Sequence, residues 1–303
     1  MCRMRGTTLT LAALMVGCAG EELDKKVLLI GLDGVRVDIL AAASTPHLDA
    51  LMSQGTFSDR ARTGDPTVSG PGWSSMLTGV WPAKHGVLGN DFAGNRYERY
   101  PDFLTRLEQL DPAYETFAVV DWPPLGTTAS NGPLLSGALD RLVVIDGDSL
   151  GYRMADSLSA LEATGYLRTA DPDAAFVYLG DIDVVGHDTG SLSEAYREAI
   201  ERADRQVGIL VAALAERPRY DREDWLILVS TDHGRTDAGG HGGTSHAERT
   251  IFYLASGPSA ATGVPPTAPR IVDVAATALT HLDVTIDPAW ELDGIAVGLR
   301  RPE

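Results

Sequence analysis

The chain has 303 residues, of which 44 % are hydrophobic, so a sizeable core is available to one large domain. Its formal net charge of −17 excludes a nucleic-acid-binding surface, because phosphate backbones are held by basic patches. The only two cysteines are Cys2 and Cys18, so no thiolate is expected to ligate a metal in the folded body, and any metal site has to use histidine and carboxylate.

Taken from the start, residues 1–17 read as a signal peptide. Arg3 and Arg5 precede an apolar stretch from Leu9 to Val16, which is too short to span a membrane. The run LMVGC resembles the lipobox of bacterial lipoproteins. That resemblance implies cleavage before Cys18 and a lipid anchor on its sulfur, hence export to a membrane facing the periplasm or cell surface. Residues 18–25 are expected to form a tether, and 26–303 a single catalytic domain.

The body alternates apolar runs with amphipathic stretches. Strands are expected at KVLLIGLDG (26–34), FAVV (117–120), RLVVI (141–145), AAFVYLG (174–180), WLILVS (225–230) and TIFYLAS (250–256). Helices are expected over 45–55, 101–110, 152–168, 191–216 and 271–282, and a surface loop over 257–269. This order indicates an α/β fold with a mostly parallel sheet covered on both faces. In such folds ligands gather where the strands end. There the sequence places Asp33, then Asp181, Asp183 and His187, then Thr231, Asp232 and His233. Any one of these could be a helix cap or a surface side chain. Their recurrence at three strand ends argues for a site. Ser69 stands at a turn into a helix, where the positive end of the dipole favours an alkoxide and binds phosphate, although a serine there can also serve only as a cap.

Together these segments resemble the alkaline phosphatase superfamily, most closely its type I phosphodiesterase/nucleotide pyrophosphatase branch. The motifs are Asp33 in GLDG, Ser69 with Pro71, the run Thr78, Gly79, Pro82, His85 and Gly86, then Asn90, Asp183 with His187, Asp232 with His233, and His241 in GGHGG. The resemblance implies a three-layer α/β/α sandwich and two Zn²⁺ ions. One is held by Asp183, His187 and His241, the other by Asp33, Asp232, His233 and the oxygen of Ser69. These ligand types also accept other divalent metals such as Mn²⁺ or iron. It further implies Ser69 as nucleophile, and Asn90 with the Gly70 N–H as the grip on a phosphoryl oxygen. The substrate expected is a small phosphodiester or nucleotide-like molecule. A phosphomonoesterase is the alternative, as is a non-catalytic zinc-stabilised binding protein.

The pattern departs from its relatives at several points. Trp73 stands where sulfatases of the superfamily carry an arginine. Gly70 follows the nucleophile where nucleotide-cleaving members often have Phe. Arg235, just after Asp-His-Gly, is a candidate to bind the extra charge of a monoester. Trp122 is either an aromatic wall or, as we favour, core packing. His85 is expected to order the loop bearing Asn90, and His47 to be structural. His281, Asp237 and His246 are expected to be bystanders, with His246 the competitor of His241.

Overall fold

The computed structural model describes residues 23–300. The expected signal peptide and Cys18 lie outside the described residues. The strands are β1 (Asp24–Leu32), β2 (Thr56–Arg62), β3 (Thr116–Val120), β4 (Arg141–Val144), β5 (Ala174–Leu179), β6 (Glu223–Ser230) and β7 (Thr250–Ser256). The helices are α1 (Val37–Leu40), α2 (Pro46–Gln54), α3 (Ser69–Thr78), α4 (Pro82–His85), α5 (Phe103–Leu110), α6 (Gly147–Leu150), α7 (Tyr152–Thr169), α8 (Asp181–Thr189), α9 (Glu194–Ala215), α10 (His246–Arg249) and α11 (Asp273–His281). β1 begins at Asp24, inside the segment expected as a tether, because Asp24 and Lys25 already pair with Glu223 and Asp224 of β6.

The strands form one sheet in the order β2-β7-β6-β1-β5-β3-β4. β1 runs parallel to both its neighbours, with Gly31 level with Tyr178 of β5 and Ser230 of β6. The three strands whose ends carry carboxylates and histidines are therefore adjacent, with β1 in the middle. The sheet is mostly parallel, as expected; β7 pairs antiparallel with β6, and β2 pairs antiparallel with it.

Alternation along β1 explains the two cores. Val27 and Leu29 face a cluster with Trp73, Phe103 and Val274, beneath α3, α5 and α11. Leu28, Ile30 and Leu32 face Leu48, Leu167 and Ile200, beneath α2, α7 and α9. A central parallel strand buried on both faces has to be apolar throughout, as this one is. The result is the three-layer sandwich expected. Local signals set the helix ends: Pro46 opens α2, and Ser193 caps α9 by accepting the Tyr196 N–H at 3.1 Å. Among the described residues no helix is long and apolar enough to cross a membrane.

Candidate active site

The ends of β6, β1 and β5 meet the first turn of α3 and the glycine-rich loop after β6. Ser69 is the first residue of α3, and Val68 occupies the cap position. Its hydroxyl makes no capping bond; it lies 3.2 Å from Nε2 of His233. The helix thus presents this hydroxyl to the site rather than using it to satisfy its own backbone.

Asp33 is buried at the end of β1. Its Oδ2 accepts from Tyr178 Oη at 2.6 Å and from Trp73 Nε1 at 2.9 Å. Its Oδ1 has no hydrogen-bond partner. Asp232 repeats the arrangement: Oδ1 accepts the Gly34 N–H at 3.1 Å, and Oδ2 is left without a partner. Burial pushes the Asp33 carboxyl well up from the usual carboxylate range, and the neighbouring Asp232 and Asp183 push it further. Burial raises Asp232 as well, with Asp183 adding to it. Two buried carboxylates, each with one oxygen tied and one orphaned, call for a cation between them.

The histidines are oriented to match. His233 Nδ1 is 3.0 Å from the Gly234 carbonyl, and His241 Nδ1 is 2.9 Å from that of Thr67. Donation to a carbonyl fixes the tautomer and leaves each Nε2 lone pair facing the carboxylates. Burial lowers the pKa of both rings, and for His233 the adjacent His241 lowers it further, so both stay neutral as ligation requires. Two sets of ligand atoms cluster closely enough to share an ion: Asp33, Asp232 and His233, and Asp183, His233 and His241. His187 joins the second set, with its Nε2 2.9 Å from that of His241 and 3.4 Å from Asp183 Oδ2. All seven residues expected as ligands are thus brought together, and the donor set suits Zn²⁺.

Asn90 is also in place, with one difference from expectation. The Gly70 N–H does not point at an empty oxyanion position; it donates to Asn90 Oδ1 at 2.8 Å. This bond fixes the Asn90 amide and leaves its Nδ2 as the available donor. Gly70 is needed here, because a Cβ would lie 2.5 Å from the Gly89 carbonyl oxygen. A bulky residue after the nucleophile cannot fit this loop without moving it.

Arg235 is not free to bind substrate. It is fully buried, and its guanidinium bonds to Asp183 and to the carbonyls of Gly34 and Gly239. Trp122 serves both roles weighed for it: it packs on the core, 5.7 Å from Phe92, and it lines the cavity over Ser69. That cavity, about 90 Å³, is also lined by Tyr152, Tyr178, Asn90 and His187. His246 lies outside the cluster beside Thr250, and Asp237 pairs with Arg36 at 2.5 Å. His281 is buried, 2.9 Å from the Asp224 carbonyl. Tyr178 and Tyr152 escaped the sequence reading. Tyr178 left one signal, a buried phenol within an apolar strand, which needs a partner for its hydroxyl.

The type I phosphodiesterase/nucleotide pyrophosphatase model matches residues 27–131 and 146–248. The chain belongs to this family. Family relatives include bis(5'-adenosyl)-triphosphatase of Bos taurus, 27 % identical over 241 residues, covering 75 % of this chain and 52 % of the relative. Human ectonucleotide pyrophosphatase/phosphodiesterase family member 7 is 25 % identical over 254 residues, covering 76 % and 53 %. The chain therefore spans about half the length of these curated relatives. Among solved structures, the murine ectonucleotide pyrophosphatase/phosphodiesterase 5, as an inactive variant with AMP, has a TM-score of 0.64 at 16 % identity, covering 86 % of this chain and 96 % of that one. A 2-O GAG sulfatase has a TM-score of 0.72 at 14 % identity, covering 90 % and 73 %; it shares the fold. The Trp73 indole, next to the nucleophile loop, supports Asp33.

Proposed function

We propose that the chain is an exported, metal-dependent phosphodiesterase or nucleotide pyrophosphatase that works through a phosphoseryl intermediate on Ser69. The observation that carries this reading is the Ser69 hydroxyl at a helix N-terminus, 3.2 Å from His233 Nε2, which itself lies 3.6 Å from the orphaned Asp33 Oδ1 and 3.3 Å from the orphaned Asp232 Oδ2. Asp33, Asp232, His233 and Ser69 Oγ would hold one ion, and Asp183, His187 and His241 the other, with zinc the best match. Bound there, the two cations supply Lewis acidity, lowering the pKa of a coordinated hydroxyl or water and offsetting charge on the apical oxygens.

Ser69 attacks phosphorus in line, and the proton it gives up passes through solvent to the departing oxygen. The bond from phosphorus to the leaving oxygen breaks as the Ser69 ester forms. Water then attacks the phosphoseryl ester, releasing the product and returning the hydroxyl. Asn90 Nδ2 donates to a non-bridging oxygen, and its amide is held ready by the Gly70 N–H. Tyr178 and Trp73 hold Asp33 so that Oδ1 faces the site.

A singly charged phosphodiester fits this lining better than a doubly charged monoester. The cavity is lined by carboxylates, histidines and aromatic rings, and no lysine or arginine is among its described lining residues. Trp122 and Tyr152 offer aromatic surface to the esterified group, which suits a nucleotide or aryl ester. The adenosyl and ectonucleotide names of the relatives point the same way. Export and a lipid anchor at Cys18 are supported by the sequence of residues 1–18.

Ser69→Ala tests the nucleophile. We expect turnover of a phosphodiester to fall at least ~10³-fold while metal content, measured on the same sample, stays near that of the parent. Retained turnover would remove Ser69 from the mechanism.

A further inference from the structure

Arg235 carries an interior charge that the proposed reaction does not use. Its planar guanidinium reaches three separate segments. Nε donates to the Gly34 carbonyl at 3.2 Å, next to Asp33. Nη2 donates to the main-chain carbonyl of Asp183 at 2.8 Å and to Asp183 Oδ1. Nη1 donates to the Gly239 carbonyl, two residues before His241. Arg235 itself follows His233 by two residues. One side chain thus ties together all four strand-end and loop segments that carry the ligands, apart from α3. Its path is kept open by glycines: a Cβ at Gly34 or at Gly186 would lie 2.8 Å from Arg235 Nε.

Charge makes the arrangement purposeful. Asp33, Asp183 and Asp232 crowd one region; Asp232 and Asp183 raise the cost of ionising Asp33, and Asp183 raises that of Asp232. The other arginines near these strand ends are engaged elsewhere: Arg36 is turned to Asp38 and Asp237, and Arg202 to Asp181. A guanidinium stays protonated, and its fork can serve a carboxylate and several carbonyls at once, which an ammonium cannot.

We propose that Arg235 is the positioning residue of the metal site: a permanent internal cation that assembles the ligand segments before any metal arrives and holds Asp183 by Oδ1, presenting Oδ2 toward His187. Its zinc arm rests on the metal-site reading given above; its assembly arm does not.

The test compares the wild type with Arg235→Met, Arg235→Lys, Asp183→Asn and the Arg235→Met/Asp183→Asn double variant. Each protein is stripped with a chelator. Two quantities are measured: the melting temperature of the stripped protein, and Zn²⁺ affinity by competition with a chromophoric chelator. Arg235→Met is expected to lower zinc affinity by about ten- to a hundred-fold, as losing a group that orients metal ligands does. It is also expected to lower the melting temperature of the stripped protein, and Arg235→Lys to recover only part of both. In the Asp183→Asn background both losses should shrink, because the partner is gone. Zinc affinity within twofold of wild type in Arg235→Met, equal losses in both backgrounds, or complete rescue by lysine would each overturn the proposal. If the wild type takes up no zinc, the metal reading fails. The stripped-protein cycle then decides alone: coupling between Arg235 and Asp183 supports assembly, and its absence refutes it. If Arg235→Met does not fold, Arg235→Lys carries the same comparison.

Discussion

Asp33 shows how the residues behind a candidate metal ligand hold its carboxylate in place. Two donors hold Oδ2, the Tyr178 phenol and the Trp73 indole, and Oδ1 is left facing the site. Burial raises the phenol's pKa far above its ordinary value, so it stays a donor at any working pH. Tyr178→Phe removes one donor and keeps the ring, which packs edge-on against Trp73 at 5.1 Å. We expect about a tenfold loss of zinc affinity with little change in melting temperature. Unchanged affinity, measured by chelator competition, would show that the phenol does not orient Asp33. The candidate ligands are legible because Asp33, Asp183, His187, Asp232 and His233 follow apolar runs, and Ser69 and His241 because the motif order resembles a family's. What holds them is not. Trp73 and Tyr178 lie in a helix and a strand that bury large side chains anyway, and nothing in the sequence shows that Arg235 turns inward rather than toward substrate.

At the scale of elements, α3 and α4 form the platform under Ser69 and Asn90, and His85 fastens it. Its Nε2 lies 3.0 Å from Ser75 Oγ, and its Nδ1 accepts the Val87 N–H at 3.1 Å. An acceptor at Nδ1 requires the neutral ring. Burial, with Arg96 nearby, lowers the His85 pKa to about 3. A histidine with a depressed folded pKa stabilises fully above its unfolded value near 6.5 and loses that contribution as pH falls toward the folded value. Stability should therefore decline between about pH 6.5 and 3, in part through His85. His85→Asn is expected to be less stable at pH 7 by about 1–3 kcal/mol and to show a shallower decline in acid, by urea unfolding at pH 7 and 4.5. Parallel declines would contradict this. Six of the sheet's seven strands are legible from apolar runs. β2, with sequence TFSDRAR, has no such run and was missed. β7 is legible as a strand, and its direction is not. The chain between β6 and β7 contains only the short α10, not the crossover helix that a parallel return uses, so it stays at one end of the sheet and β7 runs back. The helix α8 is not among the helices expected from the sequence; its Gly186 leaves room for Arg235.

For the whole molecule, the sheet order places β1 between β5 and β6, so residues 33, 183 and 232–233 converge although the chain separates them widely. This convergence is what a family resemblance predicts and what the fold supplies. The central claim is the reaction class: a site with two candidate cation positions and no lysine or arginine among its described lining residues should prefer one phosphate charge to two. The direct measurement is kcat/KM for bis(p-nitrophenyl) phosphate against p-nitrophenyl phosphate, with the zinc-loaded protein at one pH. The account predicts the larger value for the diester. A clearly larger value for the monoester would contradict it.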